Sequence, residues 1–427
     1  MDGQQILELA CRNGAQSAEV YQTSGLSRSA SFEANRLKQV ETGNEEGVAL
    51  RVWRDGRAGL AVAQGPADSL ALVEKALALS AFSQAETVDL PHSAPVFHER
   101  PRDSIALEQL IAWGEQVIAQ VRAACPEVLC GGGYSDETGT LTILNTAGLQ
   151  VSYTSSTLSG YMGAEWVRGE DLLQVYEGET VCDVPSPQTV AAQVVQKLNW
   201  AKKNSPTLNA QVPVLFTSKA VEVLLGAVSA ALNGRQVLQQ ASPWFARRGE
   251  TVLSPLLTLS QVPEAEPYAT PFDDEGTPTR TQDFCREGVL ETFYADRKTA
   301  RALGLEYTGN GFRGDLGAYP QPGLFNLMLA PGSTPFEDIV RQLENAVIID
   351  QVLGSGASLS GEFSVNVDLG YRVQHGQITG RIKDTMVAGN AYDALKRVIS
   401  LSSERTWEGS LFTPALLVES LAVTGRV

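Results

Sequence analysis

Three carboxylates stand side by side at Asp273, Asp274 and Glu275, in the run Pro271-Phe272-Asp273-Asp274-Glu275-Gly276-Thr277-Pro278-Thr279-Arg280. Their mutual repulsion and desolvation would cost several kcal/mol in a buried strand that offered no cations or amide donors. The run is therefore expected in a surface turn, a wet loop or a polar cavity. About thirty residues on, Tyr307-Thr308-Gly309-Asn310-Gly311-Phe312-Arg313 forms a second polar, glycine-rich segment. Asp273, Asp274, Glu275, Arg280, Asn310 and Arg313 together offer carboxylates, an amide and guanidinium groups. Beside a strand edge such a set suits capture of an extended peptide, whose main chain supplies hydrogen bonds and whose termini or side chains find the charges. The other reading is that these residues pair with one another and hold the loop. A metal held by Asp273, Asp274 and Glu275 is disfavoured, because adjacent side chains in an extended stretch point to opposite sides.

Other chemistries find few residues. The three histidines are His92 and His98, in a proline-rich connector, and His375, at a hairpin tip. None has ligand spacing, and a surface role is expected for all three. Cys11, Cys125, Cys130, Cys182 and Cys285 are scattered, with no C-x-x-C pair, and are expected as reduced, mostly buried thiols. No G-x-S-x-G elbow is present. Gly309 to Gly314 matches G-x-G-x-x-G, but the following Asp315-Leu316-Gly317-Ala318-Tyr319-Pro320 cannot open a helix, so a dinucleotide site is not expected. Gly354 to Gly361 reads as a lid or connector rather than an anion nest.

The order of Asp273 to Gly276 with Pro278, Gly288-Val289-Leu290 and Thr308-Gly309-Asn310 resembles the signature of the TldD/PmbA family, formerly called modulators of DNA gyrase. The resemblance runs through nearly the whole chain. It implies an N-terminal α/β domain and a β-rich C-terminal domain in a dimer around an internal cavity. In the two-component form of that family, a TldD-like subunit carries H-E-x-x-x-H on the helix after the first C-terminal strand, binds zinc and cleaves peptides. The PmbA-like or TldE-like subunit lacks the motif. Here the corresponding helix reads Val223-Leu224-Leu225-Gly226-Ala227-Val228-Ser229-Ala230-Ala231-Leu232-Asn233-Gly234, without His or Glu. A catalytic zinc needs about three protein ligands and an open position.

The expectation is thus a zinc-lacking subunit that shapes the chamber and binds unfolded or leader peptides, with zinc only in a TldD-like partner and no cofactor in this chain. A stand-alone homodimeric peptide-binding protein without hydrolysis is the alternative.

The elements that must position these residues follow from periodicity and turn chemistry. The 427 residues suggest two domains, and 43% hydrophobic with 19% charged residues suits a globular protein. A formal charge of −16 argues against duplex DNA as a direct partner. The start, Met1-Asp2-Gly3-Gln4-Gln5, has no basic or apolar targeting region, and no apolar run spans a bilayer, so a cytoplasmic location away from membranes is expected.

Ile6, Leu9 and Ala10 predict a short helix, and Ala18 to Gln22, Leu26 to Val40 and Gly47 to Gln64 an antiparallel meander with Asp55-Gly56 as a two-residue turn. Helices are predicted over Ala67 to Phe82, Ser104 to Ala124 and, with Ser186 as cap and Pro187 first, through Trp200. Strands are predicted at Leu141 to Asn145, Leu149 to Thr154, Tyr161 to Val167 and Leu172 to Glu177. Lys202 to Val212 has no clear period and marks the boundary between an N-terminal α/β domain, 1–201, with an antiparallel sheet, and a β-rich C-terminal domain, 212–427, with a few helices.

Beyond it come a strand over Val214 to Phe216, a helix over Lys219 to Leu232 capped by Ser218, a hairpin at Cys285 to Leu290 and a short helix over Asp296 to Leu303. Thr334-Pro335-Phe336-Glu337 predicts a helix ending near Asn345. Val347 to Leu353, Phe363 to Leu369, Tyr371 to Gln374 and Gln377 to Ile382 follow as strands, with His375-Gly376 as a tight turn. A helix over Asn390 to Ile399 and a strand over Ala415 to Val423 complete an α+β layout.

Overall fold

The computed structural model describes residues 2–206 and 208–425; Met1 of the N-terminal segment, Thr207 of the expected boundary, and residues 426 and 427 lie outside them. The fold is α+β, with an antiparallel sheet in the N-terminal part and a β-rich C-terminal part.

The chain opens with α1 (Gly3–Arg12), the hairpin β1 (Ser17–Glu33) and β2 (Arg36–Arg54), and β3 (Arg57–Gln64). Asp55 and Gly56 both take positive φ, as a tight turn between paired Arg54 and Arg57 requires. Helix α2 (Ser69–Ser80), strand β4 (Val96–Arg100) and helix α3 (Leu107–Ala124) precede the long strands β5 (Leu129–Asn145), β6 (Gln150–Arg168) and β7 (Asp171–Val181), then α4 (Pro187–Trp200). The sheet order is β3-β2-β1-β5-β6, with β4 and β7 both on the far edge of β6. β7 covers only residues 158–168 of β6, so the edge at Val151–Ser155 is left for β4, which pairs there in parallel. The proline-rich connector is therefore not wholly loop, as its composition suggested. The run Leu26 to Val40 is also broken, by Ala34 and Asn35 at positive φ.

The second part begins with β8 (Ala210–Phe216), α5 (Glu222–Leu232) and α6 (Gly234–Leu238). Ser218 does not cap α5, because the chain first turns on the Thr217 carbonyl, which accepts from the amides of Ala220 and Val221, and α5 starts only at Glu222. Short strands β9 (Leu259–Gln261), β10 (Gln282–Arg286) and β11 (Val289–Leu290) follow, then α7 (Arg297–Leu303), capped by the Asp296 side chain, and β12 (Gly311–Phe312), β13 (Gln321–Pro322) and β14 (Leu327–Leu329). Helix α8 (Phe336–Arg341) is shorter than its capping residues suggest, since Asn345 is already paired with Gln374 as the first residue of β15 (Asn345–Leu353).

β16 (Glu362–Gln374) runs unbroken through Gly370 and turns at His375-Gly376, both at positive φ, into β17 (Gln377–Arg381). β18 (Thr385–Asn390), α9 (Ala391–Lys396), β19 (Val398–Glu408) and β20 (Leu411–Gly425) complete the chain. The predicted last helix stops at Lys396 because Val398-Ile399-Ser400-Leu401 enters β19, where branched side chains suit a pleated surface better.

β20-β18-β16-β15-β8 closes on itself, because β8 pairs with β15 in parallel and with β20 antiparallel. Both faces of these strands are buried. Val214, Phe216, Val347 and Ile349 face one core with α5, while Leu215 and Ile348 face a second core with Val117 of α3, Leu158 of β6 and Val194 of α4. Continuous apolar runs such as Ala346 to Ile349 are what two-sided burial demands. The second core therefore crosses residues 202–212. Among the described residues, no helix is long and apolar enough to cross a membrane.

Candidate functional site

The carboxylate run lies where the loops of the second part press on the face of β1 and β2. Asp273 to Thr277 is a turn, as predicted, but not a surface one: Asp273 is 1% exposed, Asp274 9% and Glu275 8%. Burial is possible because each carboxylate is met by donors. Asp273 Oδ1 accepts from the amides of Glu275 at 3.0 Å and Thr277 at 2.8 Å, and its Oδ2 accepts from Gly311 N at 2.8 Å. Asp274 accepts from Arg313 N at 2.7 Å and from the Tyr21 hydroxyl at 3.1 Å. Glu275 Oε2 accepts from Arg297 N, at the start of α7, at 2.8 Å. The backbone closes the turn, with Gly276 N donating to Asp273 O and Asp273 N to Thr277 O. Gly276 sits at φ +75, and a Cβ there would run into Leu149.

Burial still disfavours the charged forms. It holds Asp273 and Asp274 above the usual carboxylate range, with the Glu275 charge adding to the effect on Asp273, and it lifts Glu275 to about 7. The surroundings are ionic. Arg313, with a side chain 2% exposed, donates to Glu19 at 2.8 Å and lies 4.7 Å over the Tyr21 ring. Glu19 also takes Arg51 at 3.0 Å. Burial pulls both guanidiniums down; at Arg51 the charge and hydrogen bond of Glu19, with the charges of Glu275 and Glu86, together outweigh it and hold the group above its ordinary value, whereas Arg313 stays below. Arg297 pairs with Asp89 at 2.6 Å, and Arg301 with the same carboxylate at 2.9 Å.

The sequence reading missed Glu19, Tyr21, Arg51, Asp89 and Arg297. Only their side chains' convergence across more than two hundred residues reveals them.

The six residues singled out divide. Asp273, Asp274, Glu275, Asn310 and Arg313 are brought together, whereas Arg280 points outward to an exposed pairing with Glu306 at 3.5 Å. Asn310 is fully buried, donating to Gln261 Oε1 and to the Gly323 carbonyl, both at 2.9 Å, and accepting from the Thr308 hydroxyl at 2.8 Å. Its neighbour Gly311 is indispensable in outline, since a Cβ there would strike the Glu275 carboxylate. The Gly309 to Gly314 segment opens no helix; it forms the two-residue strand β12 and a loop.

The helix that the resemblance sets against the zinc motif is α5. Its side chains Val223, Leu224, Leu225, Ala227, Val228, Ala231 and Leu232 are buried in apolar surroundings. Carbonyls along it are taken up: Ala227 by the Tyr392 hydroxyl at 3.1 Å, Ser229 by Tyr294 at 3.0 Å and Ala231 by Ser242 at 2.6 Å. Among the described residues, no group of three or more His, Cys, Asp or Glu side chains is arranged to hold a metal. The three histidines are exposed, His375 lying 2.7 Å from Glu344. All five cysteines are free thiols, but they are not mostly buried: Cys130 and Cys285 are, Cys125 and Cys182 are half-buried, and Cys11 is exposed on α1.

Residues 209–425 match the model of the PmbA/TldA metallopeptidase C-terminal domain, and residues 18–80 that of PmbA/TldA metallopeptidase domain 1. The chain belongs to the PmbA/TldD family. Within this PmbA/TldD family it is 25% identical to the metalloprotease PmbA homolog of Haemophilus influenzae, covering 98% of this chain and 94% of that protein. It is 23% identical to metalloprotease PmbA of Escherichia coli O157:H7, over the same shares. The crystal structure of TldE from Thermococcus kodakarensis superposes with a TM-score of 0.92 over 99% of both chains, at 22% identity. The family's fold and signature turn are thus both present, and the signature residues form a buried tie between β1 and the loops around α7.

Proposed function

We propose that the chain is the zinc-lacking, PmbA/TldE-like subunit of a cytoplasmic TldD/PmbA-type metallopeptidase, shaping the chamber and holding unfolded or leader peptides while a TldD-like partner supplies zinc and cleavage. The observation that carries this reading is the composition of α5. Where the catalytic branch places two imidazoles and a carboxylate, this helix has Gly226, Ala227 and small or aliphatic side chains packed in a core. From Val223 on, the helix offers no imidazole, thiolate or carboxylate to grip a metal or take a proton from water, and its one carboxylate, Glu222, is exposed at its first residue.

In this reading Asp273, Asp274, Glu275, Asn310 and Arg313 serve the peptide indirectly, by fixing the loops that wall the cleft. Arg280, which is exposed, is the member of the set that a peptide can reach.

The test is reconstitution. The chain alone, a zinc-motif family member alone and their mixture are assayed for bound zinc and for cleavage of an unstructured peptide. A stable mixed complex, with cleavage that depends on both proteins, is expected. A homodimer that binds peptide but neither joins the zinc protein nor raises its activity would establish the stand-alone alternative, and EDTA-sensitive cleavage by the isolated chain would overturn both.

A further inference from the structure

Away from the carboxylate turn, a cavity of about 550 Å³ opens between β5, β6 and β7 on one side and the tip of the β19–β20 hairpin on the other. Tyr161, Tyr176, Tyr268 and Trp407 supply aromatic faces to it, and Lys219 and Glu408 charge. The rings are set for a ligand rather than for a core. Trp407 is fixed by stacking on Phe412 at 4.7 Å and by an edge contact to Tyr268 at 5.2 Å, yet Tyr161 and Tyr176 remain 59% and 49% exposed. The cavity already shows which charge its rings accept, since the Lys219 ammonium lies 4.4 Å over the Tyr176 ring.

That ammonium is committed to Glu177, 2.9 Å away. Lys197, which also reaches Glu177, is matched by Asp350 at 2.7 Å. Two further lining carboxylates, Glu179 and Glu408, have no ion pair among the described residues; Glu179 accepts only the Ser186 amide, and burial lifts Glu408 to about 7. The lining is therefore short of positive charge.

The backbone beside the cavity is also incomplete. Among the described residues β7 is an edge strand that pairs with β6 alone, and its outward groups are capped in turn by side chains of the second part. Arg381 donates to the Leu172 carbonyl at 3.0 Å, Gln351 donates to the Gln174 carbonyl at 3.4 Å and accepts from Tyr176 N at 3.3 Å, and Lys219 donates to the Tyr176 carbonyl. The same alternation turns the backbone groups of Gly178 and Thr180 outward. Both residues line the cavity, and among the described residues no side chain caps those groups.

We propose that this cavity binds a lysine or arginine side chain of an extended peptide, which adds to the edge of β7 at Gly178 and Thr180 and places its cation between the rings and Glu408. The inference rests on the peptide-holding reading above and gives it a side-chain class.

Calorimetric titration of the full chain with Ac-Ala-Ala-Lys-Ala-Ala-amide, and with the same peptide bearing norleucine or glutamate at the centre, tests it. The lysine peptide is expected to bind roughly tenfold more tightly than the norleucine peptide, the glutamate peptide least. Glu408→Gln is expected to bring lysine down toward norleucine, and Trp407→Leu to weaken both. Equal binding of lysine and norleucine by the unmodified chain, or a lysine preference that survives Glu408→Gln in a folded variant, would overturn the proposal. The comparison does not use the zinc partner. Intact cleavage by the mixed complex with no lysine preference removes the cavity's role alone, whereas a lysine preference without complex formation removes only the subunit role.

Discussion

The Tyr21 hydroxyl donates to Asp274 across 3.1 Å although the two residues are 253 positions apart in the chain. The same Asp274 takes the amide of Arg313, whose guanidinium covers the Tyr21 ring and reaches Glu19 beside it. The bond therefore closes a ring of contacts between β1 and the signature loops, and it sets what a single change there should do.

Arg313→Ala leaves buried Glu19 with Arg51 as its remaining ion pair and takes a nearby positive charge from Asp274, whose bond to the residue-313 amide survives. Removing one member of a buried pair costs about 3–5 kcal/mol. Denaturant unfolding should show a loss of that size. Tyr21→Phe, which removes one hydroxyl donor from a buried acceptor, should lose only about 1–3 kcal/mol.

Glu275 stands at about 7 in the folded chain against an ordinary 4.5, through burial first, with Asp296 and Glu19 adding to it. The folded state keeps this proton to higher pH than the unfolded state. Stability from the group is therefore complete below pH 4.5 and is lost as the pH rises through about 7, at up to about 1.4 kcal/mol per pH unit. Melting temperatures between about pH 5 and pH 8 should fall less steeply for Glu275→Gln than for the unmodified chain. Glu408, lifted to the same value by burial, contributes in the same direction and is separated by Glu408→Gln.

Gly276→Ala meets two obstacles, a left-handed φ of +75 and the Leu149 side chain. A loss of about 1–3 kcal/mol is expected in thermal or denaturant unfolding. Gly249→Ala shares the positive φ, at +84, but has open space around it. Its smaller loss would isolate the steric share.

EDTA should leave the melting temperature of the isolated chain unchanged, because among the described residues no group of three or more His, Cys, Asp or Glu side chains is arranged to hold a metal. The same treatment should abolish peptide cleavage by the mixed complex, and zinc should restore it. A drop in the isolated chain's melting temperature on chelation would contradict the reading.

Much of the fold was legible along the chain. Asp55-Gly56 and His375-Gly376 announced their hairpins because both residues of each pair accept positive φ, and Asp296 announced α7 because its short side chain reaches the amide of Thr299. The strand at Val96–Arg100 was not legible, since it exists only because β7 leaves part of β6 uncovered. α8 was overread for a similar reason: the pairing of Asn345 with Gln374 ends it before its own sequence would.

Family, fold class and the lack of His or Glu over residues 223–234 were fixed by residue types and their order, which act locally and survive in one dimension. Whether three adjacent carboxylates lie in water or inside the protein was decided only by the tertiary structure. That choice depends on donors from Tyr21, Arg297, Gly311 and Arg313, and no spacing in the chain shows that they converge.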